Sequence, residues 1–305
     1  MANLYQERSA NVAKTWMLMA GFFLVVVAVG WGISWYYDSP AILWGAVIFS
    51  VLMNVGSYWF SDKIALSMNG ARPASREEFF DLYTVTENLS ITAGIQMPRL
   101  YVIEDAAPNA FATGRDEKHA VVAATTGLLS ILNRTELEGV IAHELSHIRN
   151  KDMLVMTVAV VLAGFVAIIA DIFLRMSLFG GGNRDSDSKA GIIVAVLAVV
   201  AIILAPIAAQ LIQLAISRRR EFLADSSGAL LTRYPEGLAS ALQKIASDGR
   251  PMKRANHATA HLFIGNPFGA QAGKFMNRLF ATHPPVEARV AALLGKESVG
   301  KESVV

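Results

Sequence analysis

The sequence predicts a mainly α-helical membrane protein, with four transmembrane helices and an α+β domain carrying a small β-sheet on one side of the bilayer. Three observations predict it. Hydrophobic residues make up 53% of the 305-residue chain and charged residues only 17%, and the mean hydropathy of +0.41 lies outside the range of ordinary soluble domains. Four apolar stretches, at about 15–37, 41–60, 153–173 and 190–216, each supply the roughly 20 helical residues that cross a hydrocarbon core of about 30 Å. The polar regions 61–152 and 217–305 then fall on the same side, so they can combine into one domain.

Residues 1–60 read as a first transmembrane hairpin and 153–216 as a second. The opening span is too long for a signal h-region, lacks a small-residue cleavage site and is followed at once by another span, so it reads as an anchor. Lys and Arg in the flanks set the orientation. Arg8 and Lys14 precede the first span, Lys63, Arg72 and Arg76 follow the second, and Arg218, Arg219 and Arg220 follow the fourth, whereas the turn "DSP" has none. Those flanks are expected in the cytoplasm. Arg175, Arg184 and Lys189 in the second hairpin's loop argue the other way and are diluted by Asp185 and Asp187.

Within the polar regions, "SREEFFDLYTVTENLSITAGI" opens with Ser75 and Glu78 in a capping arrangement and keeps helical apolar spacing to near Gly94 and Pro98. "RLYVIED" and "HAVVAAT" read as short strands, with "PNAFATG" as a third strand or a turn. "TELEGVIAHELSHIRN" is a helix that Thr135 and Glu138 would cap. "RRREFLADSSGALL" continues the fourth span, and "YPEGLASALQKIASD" is an amphipathic helix after a turn at Pro235. "GNPFGAQAG" reads as loop and "GKESVGKESVV" as a polar, disordered tail.

Composition also excludes functions. A net charge of +2 offers no broad surface for a polyanion, so nucleic acid is not an expected partner. Cysteine is absent, which leaves His, Asp and Glu as the donors for any metal.

The chemistry centres on "AHELSH". Residues four apart on a helix are separated by roughly 400° of rotation, so His143 and His147 project from one face and can grip one ion. Glu144 points to the neighbouring flank, within reach of a water activated there. Taken alone, H-E-x-x-H is equally a solvated helix face. Apolar neighbours Val140, Ile141, Ala142 and Leu145, the spacing of two of only six histidines, and an acidic pair on the other polar region weigh for a metal. That pair is Glu221 and Asp225, one turn apart. Catalytic zinc usually keeps three protein ligands; with the membrane following His147, the third must come from beyond the spans, and Glu221 is the best candidate. Asp225 would then accept a hydrogen bond from a ligating imidazole. The other reading of the pair is a surface carboxylate ladder balanced by Arg218 to Arg220.

"AHELSHIRNKDM", "SRRREFLADSSGA", "PNAFATG" and "THPPVEARVAAL" resemble the HtpX family of bacterial integral-membrane zinc proteases, gluzincins related to the CAAX prenyl proteases, from about residue 75 to 295. The resemblance implies a cytoplasmic, zincin-like catalytic domain and a multi-pass protein of the bacterial inner membrane. It implies one Zn²⁺ per subunit on His143, His147 and Glu221, with Glu144 as general base and Asp225 behind a ligand. It further implies His283 as a donor to the oxyanion, for which capping of the helix starting near Pro284 is the alternative. Asn109 and Ala110 match the family's edge-strand motif, although an Asn beside Pro108 is also an ordinary turn residue. "NAFATG" or "HAVVAAT" could take an extended peptide as an added strand, which predicts broad cleavage.

The expected partners are protein or peptide substrates, membrane proteins among them, and the lipid bilayer; oligomeric state is not legible. The implied role is quality control of membrane or misfolded proteins. Two alternatives are a site-specific processing protease of the CAAX type and a non-catalytic scaffold stabilised by a metal. Arg218 to Arg220 read first as an anchor at the membrane surface, then as carboxylate or substrate partners, then as a headgroup site. Asp171 reads as interfacial. His119, His257 and His261 lack an acidic or His partner at ligand spacing and read as structural.

Overall fold

The computed structural model describes residues 2–36, 38–159, 161–162, 164–166, 218–255, 259–269 and 284–295. The chain divides into two compact units. One comprises Met1–Val12, Ser61–Thr157 and Ile216–Val305, the other Ala13–Phe60 and Val158–Ala215.

In the second unit, helix α1 (Ala2–Tyr36), whose first turns belong to the other unit, is followed by α2 (Pro40–Trp59). Pro40 opens α2, where its missing N–H costs nothing. A Cβ at Gly30 would lie 2.2 Å from that of Ala46, so the two backbones meet where the side chains are smallest. Ser9–Trp35 and Pro40–Trp59 are long and apolar enough to cross a membrane. Their large side chains stand outward: Trp16, Leu24, Trp31, Trp35, Trp44 and Leu52 are all exposed. The fourth predicted span and the end of the third, with Asp171, lie outside the described residues.

The first unit builds an α+β domain. Helix α3 (Ser61–Asn69) leads into strand β1 (Ala71–Pro73), and α4 (Phe80–Ala93) into β2 (Arg99–Ile103), β3 (Ala110–Thr113) and β4 (Val121–Thr125). The sheet order is β1-β2-β4-β3, antiparallel except for the parallel pair β2 and β4. β4 is therefore interior, which removes "HAVVAAT" from the candidate edges: every residue of Val121–Thr125 is buried. β1 and β3 are the edge strands. After α5 (Thr126–Ile131) come α6 (Arg134–Arg149), the apolar α7 (Asp152–Val166), which belongs to the other unit from Val158 on, α8 (Arg218–Thr232), α9 (Pro235–Asp248) and α10 (Val286–Leu293). The core joins both layers through Val102, Val122 and Leu128 from the sheet side and Val140, Ile141, Leu145, Leu238 and Leu242 from the helices.

Two helix starts differ from the sequence reading. The Ser75 hydroxyl does accept from the Glu78 N–H at 3.2 Å, yet α4 starts only at Phe80, and the Glu78 side chain pairs with Arg72. The cap of α6 is formed by Asn133 and Glu136, each side chain bonded to the other's backbone N–H, and not by Thr135 and Glu138. Asn is as good a cap as Thr, and it sits one residue before the helix starts. Glu136 also accepts from Ser240 and Lys244, both at 2.7 Å, which ties α6 to α9.

Candidate active site

The buried length of α6 carries the H-E-x-x-H residues. His143, Glu144 and His147 are at most 6% exposed, with Ile141, Leu145 and Ile148 packed in the core around them. Two buried imidazoles need polar partners, and each finds one through Nδ1. The Nδ1 of His143 lies 2.9 Å from Oδ1 of Asp225, and that of His147 lies 3.1 Å from Oδ2 of Asp152. With Nδ1 committed to a carboxylate, each ring points its Nε2 inward, the nitrogen left to hold a cation. The two Nε2 atoms are 3.1 Å apart.

α8 completes the group. Gly228 lets it approach α6 closely, since a Cβ there would stand 3.0 Å from the His143 backbone nitrogen. Two turns earlier on α8, Glu221 comes 3.5 Å from Nε2 of His147 and 3.9 Å from Nε2 of His143. His143, His147 and Glu221 offer ligand atoms that all lie within 4.8 Å of one another. Ligands at about 2.1 Å around a tetrahedral ion stand roughly 3.4 Å apart, so the donor set fits one small divalent cation. Its chemistry fits as well: two imidazoles and a carboxylate, held dry and facing one point.

Charges around the group are arranged unevenly. Burial, reinforced by Glu221, raises the Glu144 pKa to about 7 against the opposing influence of His147 and Arg289. Burial works against a charged His147, but Asp152, Glu221 and Glu144 outweigh it and push its pKa to about 9. For His143 burial wins over Asp225 and the pKa falls. Burial would raise that of Asp225, and Arg289 and His143 hold it below the usual carboxylate range instead.

The spatial fate of the other predicted residues is varied. Asn109 is buried, and its side chain is spent on Gly265: Oδ1 accepts from the Gly265 N–H and Nδ2 donates to the Gly265 carbonyl, both at 3.0 Å. Because Asn109 bonds inward to Thr125, the alternation of an antiparallel pair turns the polar groups of Ala110 and Ala112 outward. The Ala110 carbonyl accepts from the Ile264 N–H at 2.9 Å, and Phe263 bridges Phe111. The upper part of the β3 edge is thus paired with residues 263–265. His283 and His257 lie outside the described residues. His261 is buried, its Nε2 3.3 Å from the Met156 carbonyl. His119 does have an acidic partner: Asp116 caps the short turn at Glu117–His119 and stands 2.7 Å from Nδ1.

Two participants escaped the sequence reading, and a third, Arg220, was read first as a surface anchor and only second as a carboxylate partner. Arg289 is almost fully buried, grips Asp225 and lies 3.8 Å from Glu221; its signal was a lone guanidinium in "VEARVAAL". Asp152 opens α7 after Lys151, whose φ of 57° re-aims the chain; a charge at the mouth of an apolar run was the clue. Arg220 is buried 3.8 Å from Asp152, so it is a partner inside the domain, while Arg218 and Arg219 are exposed.

A small mixed sheet above paired helices, with His, His and Glu converging from α6 and α8, is the arrangement of a helix-borne metallopeptidase. The chain belongs to peptidase family M48, whose profile matches residues 77–297. It is 46% identical over 299 residues to the protease HtpX homolog of Thermoanaerobacter pseudethanolicus, covering 95% of this chain and 97% of that one. It is 51% identical over 282 residues to the protease HtpX homolog of Pyrococcus furiosus, covering 92% and 94%. Among solved structures it resembles the crystal structure of S. mikatae Ste24p, with a TM-score of 0.52 over 96% of this chain and 67% of that one; at 16% identity this likeness concerns the fold.

Proposed function

We propose that the chain is a zinc-dependent endopeptidase of the cytoplasmic membrane, held by four spans, with its active site facing the cytoplasm. The observation that carries the reading is the meeting of Glu221 with His143 and His147 from the far side of an apolar stretch. Nitrogen and carboxylate donors without thiolate suit zinc well among the common divalent ions. The outward Trp and Leu side chains of α1 and α2 support membrane insertion, since a soluble domain would cover them, and the Lys and Arg flanks support the orientation. On this reading residues 1–60 and 153–216 are the membrane hairpins, and 61–152 with 217–305 the catalytic domain.

His143, His147 and Glu221 would hold the metal, with Asp225 behind His143. When bound there, a divalent cation supplies Lewis acidity toward water and the peptide carbonyl. Glu144 takes the proton from the attacking water and hands it to the leaving amine. Burial of the helix keeps bulk water from competing for that proton. His283 is the proposed donor to the oxyanion, carried over from the family. An extended substrate adds to the β3 edge at Ala110, braced by Asn109, and its N–H replaces that of Ile264 on the Ala110 carbonyl. Recognition through backbone makes little demand on sequence, which fits membrane and misfolded proteins as substrates and a role in quality control.

Replacing Glu144 by Gln tests the reading. Zinc content of the detergent-purified protein should persist while cleavage of an unfolded casein substrate falls at least a hundredfold. Undiminished cleavage would remove Glu144 from its role.

A further inference from the structure

We infer that Asn11, on the first helix, is a positioning residue of the metal site, acting through Asp152 on His147. Asn11 is fully buried and Asp152 is 1% exposed. The Asn11 amide donates to Oδ1 of Asp152 at 2.6 Å and to the Asn150 carbonyl at 3.2 Å. The other oxygen of the same carboxylate, Oδ2, faces Nδ1 of His147 at 3.1 Å. A buried carboxylate can turn about its χ2, which is a soft torsion; an amide fastened to one oxygen stops that rotation and leaves the second oxygen on the imidazole. Asn does this without charge. It therefore orients Asp152 and leaves its negative charge for the imidazole, with Arg220 at 3.8 Å supplying the balancing cation.

The second contact fixes the turn itself. The Asn150 carbonyl lies at the C-terminus of α6, beside Lys151 with its left-handed φ of 57°, a conformation that a non-glycine residue adopts at some cost. One side chain from the first ten or so residues thus clamps the break between α6 and α7 and the carboxylate that follows it. The metal site then depends on the first turns of α1, Met1–Val12, which belong to the same unit as α6 and α8.

This inference rests on the metal-site reading above, and the test separates the two. Zn²⁺ affinity would be measured on the full-length protein in detergent by competition with a chromogenic chelator. Asp152→Asn should weaken it roughly 10- to 100-fold, as expected for an outer partner of a ligating imidazole, and Asn11→Ala about tenfold. The double variant should bind no more weakly than Asp152→Asn alone, because both changes act through one bond to His147. Should Asn11→Ala unfold the zinc-free protein, Asn11→Leu, of similar volume, carries the same expectation, with helix content and unfolding midpoint as the check. Wild-type affinity in a folded Asn11 variant, or losses that multiply with those of Asp152→Asn, would overturn the inference. Glu221→Ala is the control: if it still binds Zn²⁺ as the wild type does, the metal site itself is misassigned; if it does not, an unaffected Asn11 variant condemns the role of Asn11 alone.

Discussion

Arg289 holds Asp225 with two guanidinium nitrogens, Nε to Oδ2 at 2.8 Å and Nη2 to Oδ1 at 2.6 Å, and Asp225 in turn faces Nδ1 of His143. The last helix described, α10, is thereby wired to the first imidazole through α8. Its guanidinium also reaches the Ile264 carbonyl at 3.2 Å, so one buried cation braces two acidic residues and the segment lying on the β3 edge.

Removing that cation should be costly. Arg289→Met leaves Asp225 and Glu221 buried without their counter-charge, and breaking a buried pair in this way typically costs about 3–5 kcal/mol. Thermal unfolding in detergent is expected to show a midpoint lowered by several degrees or more, and Arg289→Lys should recover little, since a lysine cannot make the two-pronged bond.

Gly228 sets the spacing between α8 and α6. Gly228→Ala would push a methyl to about 3 Å from the His143 backbone, and the helix can yield only by carrying Glu221 away from the imidazoles. Zinc affinity should fall at least tenfold while helix content by circular dichroism stays level; unchanged affinity would show that the helices have slack.

Glu136 predicts an acid limb. Burial alone would raise its pKa, but Lys244, Ser240 and the Asn133 N–H outweigh burial and hold it below the ordinary glutamate range. A carboxylate whose folded pKa is depressed stabilises the fold above its unfolded pKa and loses that contribution as pH falls through the folded value. The unfolding midpoint of the wild type should therefore drop as pH falls below about 4.5. Glu136→Gln should start lower at pH 7 and show a shallower decline.

Asn109 offers a local test. Its two bonds to Gly265 imitate a backbone pair, and their loss should cost roughly 1–3 kcal/mol. In Asn109→Ala, the amides of Ile264 and Gly265 should exchange with deuterium much faster than in the wild type, while those of β4 keep their protection.

Much of this domain could be read from residue order. Helical spacing and turn residues located α9 and α10, the β-branched runs located β2 and β4, and four-residue spacing located His143, His147, Glu221 and Asp225 as candidates. The misses share a cause. Which strand lies at the edge depends on pairing across the sheet, so the central place of β4 could not be told from its composition. Arg289 and Asn11 each act through a partner distant in the chain, and Asp152 reaches His147, five residues back, across the break at Lys151; helical periodicity records neither. Arg220 was taken with its two neighbours as a surface run, although helical rotation turns one of any three consecutive residues inward. The Asn133 cap was passed over because Thr135 offers the same local pattern two residues later.

One ion joining α6 to α8 is the centre of the proposed site. Metal analysis of the detergent-purified wild type beside Glu221→Ala, both checked for folding, tests it most directly. One zinc per chain in the wild type and a loss of nearly all of it in the variant is the predicted result; equal zinc in both would contradict the account.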